Sequence, residues 1–304
     1  MSPRLALLCA ALAFGGVARA QDKGTLEPVR LPPLAHPEDP STPAKQLFGR
    51  QLLPAALAAR TIGFYSRGCL AGGRALAVNG PAWQVMRLSR NRNWGHPALI
   101  AFLERFAQKV PRVSNWHGIL VGDLSQPRGG PMLTGHASHQ IGLDADIWLT
   151  PMPDHELTRL EREEMSAVNM VRADRLDVDP SKWTHDHLAV IRAAAGDPAV
   201  QRIFVNAAIK KALCRESKGD SAWLNRVRPY YGHDYHFHVR LACPAGENAC
   251  RDQDPVPTGE GCDDSLAWWF SDAVLHPRPG PGKPRPPLTM AQLPPDCGRV
   301  LTAR

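Results

Sequence analysis

Beyond its first twenty residues, the 304-residue chain has no apolar run approaching the ~20 residues that a membrane helix needs. It has no C-x-x-C pair, so the usual spacing of a zinc-thiolate site is missing. Neither G-x-S-x-G nor S-x-x-K occurs, which removes the motifs that serine acyl-transfer enzymes carry. The basic residues are scattered and form no clustered tract interleaved with aromatics, so no nucleic-acid partner is expected. No internal repeat and no interior linker divides the chain. What remains is globular composition, 43% hydrophobic and 21% charged, in a chain long enough to bury a substantial core.

The first twenty residues differ from the rest. Arg4 gives a positive start, LALLCAALAFGGVA an apolar run, and Ala18-Arg19-Ala20 small residues flanking a cut before Gln21. That is the pattern of a secretory signal peptide, so the mature protein is expected to be exported to an oxidising compartment. Cys9 leaves with this segment, and six of the seven cysteines remain. An even set in an exported chain reads as disulfides. Cys243 and Cys250 bracket a short loop after an expected strand and are paired first. Cys214–Cys262 and a terminus-tying Cys69–Cys297 complete the expected set, one of about 15 connectivities open to six cysteines. Without Arg4 and Arg19 the chain holds 34 basic residues against 29 acidic, a net charge of +5 that suits an acidic polymer, whether nucleic acid, a membrane surface or an anionic cell-wall mesh, and by itself says little more.

Residues 21–44 are rich in proline and polar side chains and read as an extended lead-in. A single domain is expected over 45–276. The tail from 277 to 304 opens with six prolines in eleven positions and reads as a strap. Within the domain, RALAVNGPAWQVMRL suggests two strands around an Asn79-Gly80 turn. Residues 97–110 have helical apolar spacing behind Pro97. NWHGILVGDLS, IGLDADIWL, RIFVN and YHFHVRLAC read as strands, with IGLDADIWL half-buried. ELTRLEREEMSAVNM, KWTHDHLAVIRAAAG and NAAIKKALC read as helices. Strands and helices mix without a regular βαβ repeat, which predicts an α+β fold around a central antiparallel sheet with flanking helices.

Two short stretches concentrate metal-ligand chemistry. GHASHQIGLDAD, residues 135–146, contains His136, His139, Asp144 and Asp146; GHDYHFHVR, residues 232–240, contains His233, His236 and His238. On a strand, His236, His238 and Arg240 share one face while Phe237, Val239 and Leu241 share the other. Gly142 marks a turn before a strand that carries Asp144 and Asp146 on one face, and such a turn brings His139 towards Asp146. Imidazoles plus a carboxylate suit a catalytic zinc with three protein ligands and an open position, where the pKa of water falls to roughly 7. His185 and His187, two apart on a helix, diverge and read as surface. Trp268 and Trp269 read as packing for the C-terminal element, with sugar stacking as the alternative.

The longer strings carry a resemblance. GDLSQPRGGPMLTGHASHQIGLDADIW, RIFVNAAIKKALC, VRPYYGHDYHFHVRLACP and DDSLAWWF occur in this order and resemble the bacterial penicillin-insensitive murein endopeptidases. These are similar to the wider metallopeptidase group of lysostaphin-type enzymes, D-Ala-D-Ala peptidases and the hedgehog domain. The resemblance covers essentially the whole mature chain. It implies a hedgehog/D-Ala-D-Ala-peptidase-like fold and zinc held by His139, Asp146 and His238. His136 is a further ligand candidate, and His236 would handle proton and charge beside the metal. His233 and Arg128 are implied at the substrate, Arg128 as a cation for a peptide carboxylate. A second metal in the family uses a carboxylate and a histidine; here the matching stretch is ADRLDVD. Asp174 and Asp177 stand there without the histidine, a set suited to a harder cation. The implied activity is cleavage of D-alanyl to meso-diaminopimelate cross-links in peptidoglycan. A D,D- or L,D-carboxypeptidase of the same zinc group, or a wall-binding domain with structural zinc, are the alternatives. With no serine nucleophile motif in the chain, a labelled penicillin is expected to leave the purified protein unlabelled; stoichiometric labelling would refute this.

Overall fold

The computed structural model describes residues 23–277 and 286–304, so the signal segment, the start of the lead-in and residues 278–285 of the strap lie outside it. The strands are β1 (Arg60–Phe64), β2 (Arg67–Ala71), β3 (Arg74–Ala75), β4 (Asn79–Gly80), β5 (Trp83–Val85), β6 (Trp94–Gly95), β7 (Ile119–Val121), β8 (Asp144–Trp148), β9 (Val200–Val205), β10 (Val227–Pro229) and β11 (His236–Leu241). The helices are α1 (Ala44–Phe48), α2 (Pro97–Val113), α3 (Arg159–Glu164), α4 (His185–Ala195), α5 (Ala207–Glu216), α6 (Asp264–Ala267), α7 (Asp272–Leu275) and α8 (Asp296–Thr302). Seven strands form the main sheet in the order β10-β9-β11-β8-β7-β5-β4. The fold is therefore mixed α and β. The sheet is antiparallel at its centre, as expected, but β9 with β10 and β5 with β7 are parallel pairs. Each parallel pair is joined through a helix, α5 or α2, and a helical crossover is what permits parallel pairing.

β8 and β11 show the period-two alternation, yet every residue of both is buried, so the half-buried expectation for β8 is corrected. Their apolar face, Ala145, Ile147, Phe237 and Val239, joins the main core with α2. There the Phe106 and Phe237 rings meet edge to face at 6.4 Å. Their other face carries Asp144, Asp146, His236, His238 and Arg240, all buried. Charged groups buried this way need partners at once.

α2 begins as its sequence requires: His96 caps it through Nδ1, which accepts from Ala98 N at 3.2 Å, and Pro97 occupies the first turn. It runs three residues past the expected end, through Pro111, whose ring fixes a helical φ although it cannot donate an i→i−4 bond. Asn79-Gly80 is not the turn. It pairs as β4 with β5, Asn79 opposite Gln84 and Gly80 opposite Trp83, so the chain reverses at Pro81-Ala82. Proline's fixed φ suits that position of a turn. α3, capped by the Thr158–Glu161 box, stops at Glu164, well short of the helix expected through 170. Arg162 and Glu163 at its end are buried, Arg162 donating to Gln84 Oε1, Asn79 Oδ1 and Val85 O.

The C-terminal helix belongs to a second small core, in which Leu293, Cys297 and Val300 pack with Phe48, Ile62 and Ala71. The disulfides are Cys69–Cys297, Cys214–Cys262 and Cys243–Cys250, the pairs read from the sequence. Arg128 reinforces the first: its guanidinium donates to Leu53 O at 3.1 Å, Val300 O at 3.0 Å and Leu301 O at 2.6 Å. A cation on the last carbonyls of α8 is a helix cap. Through Nε and Nη1, Arg128 thus acts as a structural clamp between this loop and the C-terminal helix. Replacing both Cys69 and Cys297 by serine is expected to cost about 2–5 kcal/mol in urea denaturation, and an unchanged midpoint would contradict this tie.

Candidate metal centre

The register between β8 and β11 sets the site. It places His238 opposite Asp146 and Arg240 opposite Asp144, while His236 faces Trp148. Period-two geometry then aims all five polar side chains to one side of the sheet. The loop before β8 supplies two more. His139 takes the left-handed conformation, φ 66°, and Gly142 follows at φ 74°. A Cβ on Gly142 would lie 2.7 Å from Leu70 Cδ2 and 2.9 Å from His96 N, so only glycine lets the chain turn here. Asp144 Oδ2 accepts from His139 N at 2.9 Å, and Ser125 Oγ donates to His139 O at 2.6 Å. The strained backbone is held from both sides.

Four imidazoles surround the Asp146 carboxylate. His238 Nδ1 lies 3.3 Å, His139 Nε2 3.4 Å and His236 Nε2 3.6 Å from Oδ1; His136 Nδ1 lies 3.5 Å from Oδ2. Among the described residues, His136, His139 and Asp146 form the group whose ligand atoms all lie within 4.8 Å of one another. His238 closes against His139, ring centroids 4.5 Å apart. Both ring nitrogens of the fully buried His139, and Asp146 Oδ1, have no hydrogen-bond partner. An unmet buried polar atom costs about 1–3 kcal/mol. Several within one pocket are explained by a cation that takes their lone pairs. The donor set, imidazole and carboxylate without thiolate, fits a divalent metal.

Carboxylates stand behind these imidazoles. Asp123 accepts Arg90 Nη1 at 3.0 Å and Arg92 Nη1 at 2.9 Å, and its Oδ2 lies 2.9 Å from His136 Nε2. Burial alone would raise its pKa, but His136 and the two arginines hold it well below the usual carboxylate range. Asp144, wholly buried, takes Arg240 in a two-point pair, Nε at 2.8 Å and Nη2 at 3.2 Å, and lies 3.0 Å from His238 Nε2. Burial opposes its ionisation too, and Arg240, His238 and His139 outweigh it. Asp146 is likewise pulled down against burial by His236, His139 and His136. Burial would lower His238, but Asp144 and Asp146 raise it on balance. Burial lowers His236, helped by its neighbouring imidazoles. His233 is pushed down to about 3 by burial and by His236 and His238. Carboxylate–imidazole pairs of this kind fix the ring orientation a metal needs.

The structure therefore gathers His136, His139, Asp146, His236 and His238, with His233 at the edge, its ring 4.8 Å from His236. It does not gather Arg128. Asp174 and Asp177 are also elsewhere: Asp174 pairs with Arg172, and Asp177 with Arg215 at 2.8 Å and Lys211 at 3.4 Å. Cationic side chains answer both carboxylates, and neither belongs to the histidine cluster. His185 is exposed as expected, but His187 is buried. It lies between Trp183 and Trp116, each ring 5.1 Å away, with Nδ1 accepting from Thr184 N as a cap for α4. Trp268 is corrected from packing to half-exposed. Asp123 was missed, since nothing in its local sequence ties it to a histidine thirteen positions on. Asp144 was placed on the right face but without its role.

The sequence model of the family described as penicillin-insensitive murein endopeptidase matches residues 61–302. A curated protein of that name from Haemophilus influenzae is 44% identical over 250 residues, 81% of this chain and 83% of the relative. One from Klebsiella pneumoniae is 41% identical over 251 residues, 82% of this chain and 88% of its own length. A third, from Pectobacterium atrosepticum, is 40% identical over 248 residues, 82% and 86% of the two chains. Because Asp123 orients His136 from behind, Asp123→Asn is expected to weaken metal affinity by about 10–100-fold in chelator competition. An unchanged affinity would show that the pair does not support the centre.

Proposed function

The chain belongs to the penicillin-insensitive murein endopeptidase family, and from that premise we propose that its buried histidine–aspartate centre is the zinc site of a peptidoglycan hydrolase. The bond cut is the amide between D-alanine and meso-diaminopimelate in peptide cross-links. The observation that carries the reading is the ring of imidazoles about Asp146 whose innermost member, His139, has two buried and unpaired nitrogens. His139, Asp146 and His238 hold the metal, with His136 as a further ligand. The family likeness and the mixed sheet support the hedgehog/D-Ala-D-Ala-peptidase-like fold. The leader of residues 1–20 directs the protein to the periplasm, with the mature chain comprising the lead-in, the domain over 45–276 and the C-terminal strap.

When bound, a divalent ion supplies Lewis acidity, polarising a carbonyl and making water acidic near neutral pH. The protein's own groups do the rest. His236 stands two positions before His238 on the same strand face, with Nδ1 buried and unpaired. Its imidazole takes the proton from the attacking water and returns one to the departing amine nitrogen as the C–N bond breaks, so no serine is needed. Asp123 and Asp144 keep the imidazoles at fixed angles. His236 and His238 are both buried, which limits the contact of their rings with bulk water.

His236→Ala is expected to retain metal while losing about 10²–10⁴-fold in turnover of sacculi, whereas His139→Ala loses both. Metal analysis and muropeptide digestion on one preparation, with and without chelator, decide this. Loss of metal and fold together in His236→Ala would favour a structural ion. Shortened monomer tails with intact cross-linked dimers would make the enzyme a carboxypeptidase.

A further inference from the structure

A line of aromatic rings leads outward from the catalytic edge. His236 contacts His233 at 4.8 Å, His233 contacts Tyr230 at 5.6 Å, and Tyr230 contacts Tyr231 at 6.1 Å between ring centroids. Tyr231 meets Trp269 at 4.9 Å, and Trp269 meets Trp268 at 5.3 Å, edge to face. Three of these rings are open to solvent, Tyr230 at 50%, Tyr231 at 55% and Trp268 at 53%. Single exposed aromatics are ordinary on a protein surface, but a contiguous row marks a binding surface.

The row is held rigidly. Cys262 ties the segment before α6 to α5 through Cys214, and Asp263 caps α6 on Ser265 N. Leu266 and Val274 are buried beneath it, Lys211 Nζ sits 5.3 Å from the Phe270 ring centre, and Arg175 donates to Leu275 O at 2.7 Å. On the other side, Asn206 donates from Nδ2 to Gly232 O at 2.9 Å, and Tyr230 N donates to Val205 O at 2.8 Å. Aromatic side chains fixed in place and left uncovered lose little entropy when a ligand arrives.

We propose that this row is a sugar-binding platform that seats the glycan strand beside the centre where the attached peptide is cut. The inference rests on the hydrolase reading above, because it names where the rest of that substrate lies. The chemistry selects a sugar over an acidic peptide. A pyranose presents a face of C–H groups that stacks on the electron-rich face of an aromatic ring, while Tyr hydroxyls and indole N–H groups at the rims meet its hydroxyls and acetamido groups. A peptide carboxylate would require a cation. Of the cations around the anchoring helices, Lys211 is engaged by Leu176 O and Asp177 and Arg175 by Leu275 O, while Arg228, two positions before Tyr230, keeps its unpaired Nη1 buried beside Gly261 and not on the open face of the row.

The test uses the full mature protein and two kinds of probe. One is a peptide-free tetramer of N-acetylglucosamine, followed by tryptophan fluorescence and calorimetry. The others are intact sacculi and sugar-free cross-linked peptide dimers as substrates. Trp268→Ala and Tyr231→Ala are each expected to weaken tetramer binding and raise KM on sacculi by about tenfold, with cleavage of the peptide dimers within about twofold of wild type. Trp268→Tyr and Tyr231→Phe keep the stacking face and restore binding. Equal losses on both substrates would make the row a peptide site and overturn the proposal, as would failure of the wild type to bind the tetramer. A wild type that binds the tetramer but cleaves neither substrate would sink the hydrolase reading and leave the platform standing.

Discussion

The antiparallel register of β8 on β11 is the constraint from which the rest of the centre follows. It sets Asp146 against His238 and Asp144 against Arg240 on one buried face, so two carboxylates, two imidazoles and a guanidinium leave water together. A slip of one residue would turn all of them into the apolar core. The pairing is therefore enforced by the hydrophobic effect, through burial of Phe237, Val239, Ala145 and Ile147 on the opposite face.

That burial makes site and stability inseparable at Asp144. Its carboxylate receives Arg240 at two points, accepts from the backbone of His139 and lies beside His238. Removing one member of such a buried pair costs about 3–5 kcal/mol, a large share of the ~5–15 kcal/mol that keeps a domain folded. Arg240 in turn lies 4.1 Å above the Tyr65 ring, whose hydroxyl donates to Leu241 O at 2.6 Å. Asp146, by contrast, keeps an oxygen without a hydrogen-bond partner amid four imidazoles.

Much of this was legible in the sequence because its signals are local. Alternation in LDADIW and YHFHVR gave the faces, and Gly142 gave the turn that returns His139 to Asp146. The residues that escaped reading act through distance in the chain. Asp123 reaches His136 only because β7 and the loop before β8 lie side by side. Arg128, beside two glycines in a loop, has partners 172 and 173 residues away in the last helix, which no local pattern announces. His187 diverges from His185 as helix geometry requires, but whether its side faced solvent depended on Trp116, about seventy residues earlier in the chain. The proline after Asn79-Gly80 outweighed a favoured turn dipeptide, and the row from Tyr230 to Trp268 exists only once α6 is docked.

The central claim is that His139, Asp146 and His238 share one ion. Anomalous diffraction at the zinc edge, on crystals of protein purified with its native metal, tests it most directly. The account predicts a single strong peak about 2.0–2.2 Å from one nitrogen of each of those imidazoles and from an Asp146 oxygen. A peak at another cluster, or none in protein that still cuts cross-links, would contradict it.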